Sequence, residues 1–277
     1  MFASAQKYGM KPMVVVAYKN ALYGNVDSNA FFSNTEAVAA YAAFAAKIVE
    51  TYVDYIDAIE IYNEPNYLDI PAADYANMLK ASYTAIKNVK ASVKVVGGVT
   101  SKVSTTYISS VIDNGAGDYM DIVYVHPYVY DNIFNHKPEK IVDDINTLKN
   151  TLSQKNCVKP IWVTELNWPT NDSQCGYTET EQAEYLVRAM LALQGEKSVE
   201  KIFVYTAADN DTGNADTEKV FGIFKSANYT TANAAKLSYV ALSQFANATY
   251  GMNAEGVVNL GNNVKAYSYS NGKNSIT

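Results

Sequence analysis

The chain has 277 residues, 48% of them hydrophobic and 18% charged, enough for one large core or two small ones. A net charge of −6 excludes the basic stripe that nucleic-acid binding requires. No apolar run approaches the ~18 residues of a membrane span.

Apolar runs of strand length alternate with helical patterns along the chain. The opening "FASAQKYGMKP" reads as the tail of a helix leading into a strand, "MVVVAY" (13–18). The next helix is entered through Ser33 and Glu36 at capping-box spacing, with Val38, Tyr41, Ala45, Ile48, Val49 and Tyr52 on one face. "AIEIYN" (58–63) is the second strand, followed by a helix over 72–90 whose inward face holds Tyr75, Met78, Leu79, Ile86 and Val89. "VKVVGGV" (93–99) precedes a helix at 105–114, and "DIVYVHPY" (121–128) precedes one at 139–154. "KPIWVTEL" (159–166) leads to a helix entered through Thr178 and Glu181, again at capping-box spacing. "KIFVYTA" (201–207) is the sixth strand, and 231–248 the last helix. The closing residues read as two alternating strands around a Gly-Asn-Asn turn.

Near-continuous apolar strands alternating with amphipathic helices indicate a parallel sheet covered by helices. The repeat length is that of a (β/α)8 TIM barrel. Six units are present, so the expectation is an α/β barrel lacking its first two β/α units, with an open gap between its edge strands. Residues 1–250 would form the partial barrel and 251–277 the start of a β-rich region.

In such a fold the strand C-termini share one face, and that face carries the chemistry. Glu64 closes the second strand and is stopped by Pro65. His126 and Tyr128 close the fourth, Glu165 the fifth, and Tyr205 with Asp209 follows the sixth. One glutamate at a strand end is most simply a surface residue; two, each closing an apolar strand, suggest a pair. Two carboxyl groups across a cleft are what glycosidic cleavage requires, one protonated for the leaving oxygen and one ionised for the anomeric carbon. A tyrosine hydroxyl beside the ionised group holds it in place. Asn63 suits a sugar hydroxyl, and Trp168 and Tyr23 offer faces for sugar rings. Plainer readings stand beside these: His126 as a satisfied core histidine, Trp168 packed under a loop, Asp209 as a loop cap, Trp162 as core. Two histidines, His126 and His136, are too few for a histidine-rich metal site, and no metal or cofactor is expected. Cys157 and Cys175 leave one disulfide pairing open.

The motifs "IYNEPN", "VYVHPYVY" and "WVTELNW", in this order, resemble the retaining glycoside hydrolases of clan A, in the style of families 39 and 5. The stretch "VYTAADNDTGNADTEKVFGIF" resembles the segment after their last strand. The resemblance spans about residues 8–250. It implies Glu64 as acid/base, Glu165 as nucleophile and Tyr128 hydrogen-bonded to the nucleophile. The sequence departs from the family in three ways. Its single arginine, Arg188, lies in a predicted helix rather than near the nucleophile; the first two strands are absent; and Val204 and Tyr205 stand where the last strand has a tryptophan. The implied protein is a monomer acting on a plant or microbial polysaccharide or oligosaccharide. A carbohydrate-binding pseudo-enzyme is the alternative, and a metal-dependent barrel hydrolase is disfavoured by the histidine count. Secretion or cell-surface display fits such a substrate, although the first residues carry no leader pattern.

Overall fold

In a computed structural model, the described residues are 2–24, 28–98, 100–129, 137–171, 176–197, 199–210, 217–225, 234–261 and 264–277. Two compact units are distinguished: Met1–Val125 with Leu148–Ile161, and His126–Thr147 with Trp162–Thr277.

The first unit runs α1 (Phe2–Lys7), β1 (Met13–Val16), α2 (Ala30–Ser33), α3 (Thr35–Tyr52), β2 (Ala58–Ile61), α4 (Ala72–Val89), β3 (Lys94–Gly97), α5 (Thr105–Val111) and β4 (Ile122–Val125). There follow α6 (Lys140–Gln154), β5 (Ile161–Val163), α7 (Glu179–Gly195), β6 (Lys201–Ile202), α8 (Leu237–Thr249), β7 (Asn253–Asn259), β8 (Lys265–Ser270) and β9 (Ser275–Ile276). Strands β1 to β6 follow one another in chain order, and their recorded pairings are parallel. The fold is a partial (β/α) barrel of six units, followed by a small antiparallel sheet, β7-β8-β9. Among the described residues β1 pairs with β2 alone and β6 with β5 alone.

Burial explains the strand sequences. All four residues of β2 and of β4 are buried, as expected of strands covered on both faces. Helix α3 buries Ala37, Val38, Tyr41, Ala42, Ala45 and Val49, a stripe of helical period packed along α4, which answers with Tyr75, Ala76, Met78, Leu79, Ser82 and Ile86. Among the described residues no helix is long and apolar enough to cross a membrane.

Several boundaries differ from the sequence reading. The cap of α3 is Asn34, whose side chain accepts from the N–H groups of Glu36 and Ala37 at 2.9 and 3.2 Å. Ser33 instead closes the short helix α2, its hydroxyl bonded back to the Ala30 carbonyl. At Thr178 the capping box with Glu181 is formed in full. Helix α8 begins at Leu237 because Lys236 is drawn inward: its N–H binds the Ile223 carbonyl and its side chain is buried. Residues 231–233 lie outside the described set. Strand β6 is shorter than the apolar run, although Phe203 and Tyr205 still donate to the carbonyls of Val163 and Leu166.

The β7-β8 hairpin lies against α7 through Gly195. A Cβ there would stand 2.1 Å from the Tyr267 ring, so the helix needs a bare backbone where the ring crosses it. Lys265 reaches Glu196 at 3.0 Å beside this contact, and that carboxylate raises the lysine's pKa.

Candidate active-site residues

In the first unit, Glu64 stands on a short segment that leaves β2 with unusual backbone. Tyr62 has φ of 69° and Glu64 φ of 45°, the left-handed region that side chains rarely adopt. Such conformations cost of order 1–3 kcal/mol each and persist where surroundings fix them. Here the fixings can be named. The Tyr62 N–H donates to the Val16 carbonyl and to the Tyr41 hydroxyl, both at 3.0 Å. The Tyr62 carbonyl accepts from the Tyr124 hydroxyl at 2.9 Å. Tyr41 also donates to the Val16 carbonyl, and Tyr75 donates to that of Ile61. Buried tyrosines from α3, α4 and β4 thus take over where the ladder of β2 stops. Burial pushes the Tyr41 and Tyr124 hydroxyls well above the ordinary tyrosine range, and the Tyr62 hydroxyl up to about 12.

Beyond Glu64 the segment is tied on two sides. Asn66 and Ser101 exchange hydrogen bonds at 3.1 and 2.9 Å. Asn29 donates to the carbonyls of Leu68 and Asp69, and Tyr107 to that of Ile70. The Glu64 carbonyl accepts from the N–H groups of Tyr67 and Leu68. A groove of about 510 Å³ opens beside the glutamate, lined by Tyr18, Lys19, Tyr62, Asn63, Glu64, Tyr67 and Leu68. Tyr18 and Tyr67 present most of their surface to solvent, and Asn63 lies 3.4 Å from the Tyr18 hydroxyl.

In the second unit, Glu165 follows β5. Its Oε2 accepts from the Tyr128 hydroxyl at 2.8 Å, and His126 Nδ1 lies 3.6 Å from the same oxygen. The other ring nitrogen, Nε2, is 3.0 Å from the Thr164 hydroxyl. A proton on Nδ1 faces the carboxylate favourably and leaves Nε2 as acceptor for Thr164. Phe221, fully buried, packs at 5.6 Å against both Tyr128 and Tyr205. The Glu165 side chain keeps 27% of its surface exposed, enough to meet a ligand.

The sequence candidates therefore divide. Asn63 and Glu64 share the groove, and His126, Tyr128 and Glu165 meet at one carboxylate, with Tyr205 one ring removed. Three expectations need correction. His126 is fully buried, with Nδ1 3.6 Å from Glu165 Oε2, and it offers no surface to a sugar. Trp168 is fully buried too: it packs edge-on against Tyr185 of α7, and its carbonyl accepts from Gln182. It has no free face for stacking. Asp209 is committed to Lys236 at 2.8 Å and to the Gly222 N–H at 2.7 Å, and little of its side chain is exposed. Tyr23 sits in a 3-10 turn, Ala21–Tyr23, and is not among the groove-lining residues. The exposed aromatic faces of the groove are Tyr18 and Tyr67, which sequence reading did not single out. Tyr18 ends the first apolar run, and that position on the strand C-terminal face was its signal. Trp162 is core, its indole N–H bonded to Glu200. Cys157 is a free buried thiol, and Cys175 and His136 lie outside the described residues.

The partial barrel carries Glu64 just beyond its second strand and Glu165 just beyond its fifth. The glycosyl hydrolase catalytic core family model matches residues 34–223, and the chain belongs to that family. The same fold occurs in a family 39 glycoside hydrolase from the gut symbiont Bacteroides cellulosilyticus WH2, at 22% identity and a TM-score of 0.82, covering 99% of this chain and 58% of that one. It occurs in a glucosidase from Croceicoccus marinus (12%, TM-score 0.71, 97% and 54%). A monomeric beta-xylosidase from Caulobacter crescentus CB15 shares it as well (17%, 0.64, 97% and 56%). The chain thus spans a little over half the length of these relatives. No match was found among curated proteins.

Proposed function

We propose that this chain carries the catalytic residues of a retaining β-glycoside hydrolase acting on a plant or microbial polysaccharide or oligosaccharide. Glu165 is the nucleophile and Glu64 the acid/base. The observation that supports this reading most is the Tyr128–Glu165 hydrogen bond. A phenol donating to one carboxylate oxygen favours the ionised group and fixes its direction, which a nucleophile needs. In the first step Glu165 attacks the anomeric carbon while Glu64 gives its proton to the leaving oxygen. In the second, Glu64 takes a proton from water, which displaces Glu165 from the glycosyl-enzyme. Net configuration is retained.

Substitution with exogenous azide tests the roles. Glu165→Gln should abolish turnover of aryl β-glycosides. Glu64→Ala should impair poor leaving groups far more than activated aryl groups, which need little protonation. Azide should rescue Glu64→Ala with a β-azide product. An α-azide product from the Glu64 variant would reverse the two assignments. Calorimetric sugar binding with no aryl alcohol released from the parent would instead make the chain a carbohydrate-binding protein without cleavage.

A further inference from the structure

The Tyr128–Glu165 hydrogen bond is one side of a closed circuit of contacts within the second unit. Asn167 lies two residues beyond Glu165 and is 1% exposed. An amide is costly to bury, and both of its polar atoms are engaged here. Its Nδ2 donates to the Phe221 carbonyl at 2.7 Å, and its Oδ1 accepts from the Trp168 N–H at 2.9 Å. The peptide from Phe221 to Gly222 is held at its other polar group too, since the Gly222 N–H donates to Asp209 Oδ1 at 2.7 Å. A Cβ on Gly222 would stand 2.2 Å from the Asp209 backbone nitrogen, so that approach requires bare backbone. The Phe221 ring meets Tyr128 at 5.6 Å, and the Tyr128 hydroxyl returns to Glu165 at 2.8 Å.

We infer that Asn167 is a positioning residue for the nucleophile: by binding the Phe221 carbonyl it keeps the segment that carries Glu165 in register with the ring that seats Tyr128. The Tyr128–Glu165 hydrogen bond joins residues 37 apart in the chain, on segments that no β-ladder bond aligns at that point. Such a bond weakens steeply as its distance and angle depart from the optimum, so a small slip between the segments loosens it. Phe221 touches both sides, one through its carbonyl and the other through its ring. In a close-packed interior a shift at the carbonyl is passed on to the ring and its neighbours. The clamp is separable from folding. Without the Asn167 amide, the Phe221 carbonyl keeps the Thr206 N–H at 3.4 Å and Gln182 Nε2 at 3.5 Å.

This inference rests on Glu165 being the nucleophile, so the test pairs a kinetic readout with a structural one. In the full chain, 2-deoxy-2-fluoro-β-glycosyl fluorides trap such a nucleophile: a carboxylate oxygen bonds to the anomeric carbon as the carbon–fluorine bond breaks and fluoride leaves. Fluoride needs little protonation, so the rate of inactivation reads Glu165 rather than Glu64. Asn167→Ala should lower that rate constant about 10-fold through misplacement of the carboxylate. Phe221→Leu, which keeps the backbone clamp and drops the ring, should do the same. In a Tyr128→Phe background neither substitution should add more than about 2-fold, because the bond they set is already gone. The crystal structure of Asn167→Ala should show the Tyr128–Glu165 distance lengthened past about 3.5 Å. Losses that multiply in full with Tyr128→Phe overturn the inference, since a general loosening of the fold would behave that way. An unaltered Tyr128–Glu165 distance overturns it as well. Should Asn167→Ala fail to fold, Phe221→Leu carries both measurements. If the parent is not trapped, the role given to Glu165 falls, and the crystallographic distance alone decides whether Asn167 sets the bond.

Discussion

The Tyr128 hydroxyl stands 2.8 Å from Glu165 Oε2, with His126 Nδ1 at 3.6 Å from the same oxygen. One carboxylate oxygen is thus directed by two groups that leave β4. Hydrogen bonds to ionised groups contribute about 1.5–3 kcal/mol. Tyr128→Phe should therefore lower kcat/KM for aryl β-glycosides by roughly 10- to 100-fold without unfolding the protein, since the ring keeps its contact with Phe221. Steady-state kinetics beside a thermal melt separate the two effects. An unchanged kcat/KM would mean that Glu165 does not act as the nucleophile.

Asp209 and Lys236 form a nearly buried pair, their side chains 9% and 2% exposed. Lys236 also donates to the Thr170 hydroxyl, and burial lowers its pKa in spite of the carboxylate. Removing one partner of such a pair costs about 3–5 kcal/mol by stranding the other. Asp209→Asn and Lys236→Met should each destabilise strongly, and the double variant should recover part of the loss. Urea denaturation measures this. A sugar-binding defect with undiminished stability would return Asp209 to the substrate.

The cap of α3 is checked by two alanine variants. Asn34→Ala should cost about 1 kcal/mol, because two helix N–H groups lose their acceptor. Ser33→Ala should stay within about 0.5 kcal/mol. Thr178→Ala should behave like Asn34→Ala, since it opens the capping box of α7. Equal effects at Ser33 and Asn34 would restore the cap position read from sequence.

Alkaline stability should report the tyrosines around β2. Tyr41, Tyr62 and Tyr124 all keep their protons in the folded state beyond the ordinary value near 10, chiefly through burial. Above about pH 10 the unfolded chain binds fewer protons than the folded one at these positions, so stability falls as pH rises. Their contribution is intact below that pH. Tyrosinate absorbance should show a step that coincides with loss of far-ultraviolet circular dichroism. Complete ionisation while the native spectrum persists would contradict the burial argument.

Local periodicity made most of the fold readable. The strand "IVYV" is apolar on both faces because both are covered, and the Thr178–Glu181 spacing formed the cap it announced. What stayed hidden was non-local. Asn34 outcompetes Ser33 because α2 consumes Ser33 first, and no pattern within four residues reveals that. Trp168 and Asp209 follow strand ends as binding residues do, yet partners on α7 and at Lys236, tens of residues away for Asp209, claim them. Candidate residues at strand ends were visible; whether each faces a groove or the interior depends on packing that one sequence does not spell out.

The contact between Gly195 and Tyr267 has a consequence for how this polypeptide can be rearranged. The missing side chain on α7 is a notch, and the ring on β8 is the key cut for it. Alanine at 195 would lever the hairpin off its seat, whereas shortening Tyr267 would leave the notch empty. Helix α7 and the hairpin therefore travel as one cassette: a chimera that exchanges either must carry a matching notch or key in the other, however well its strands pair.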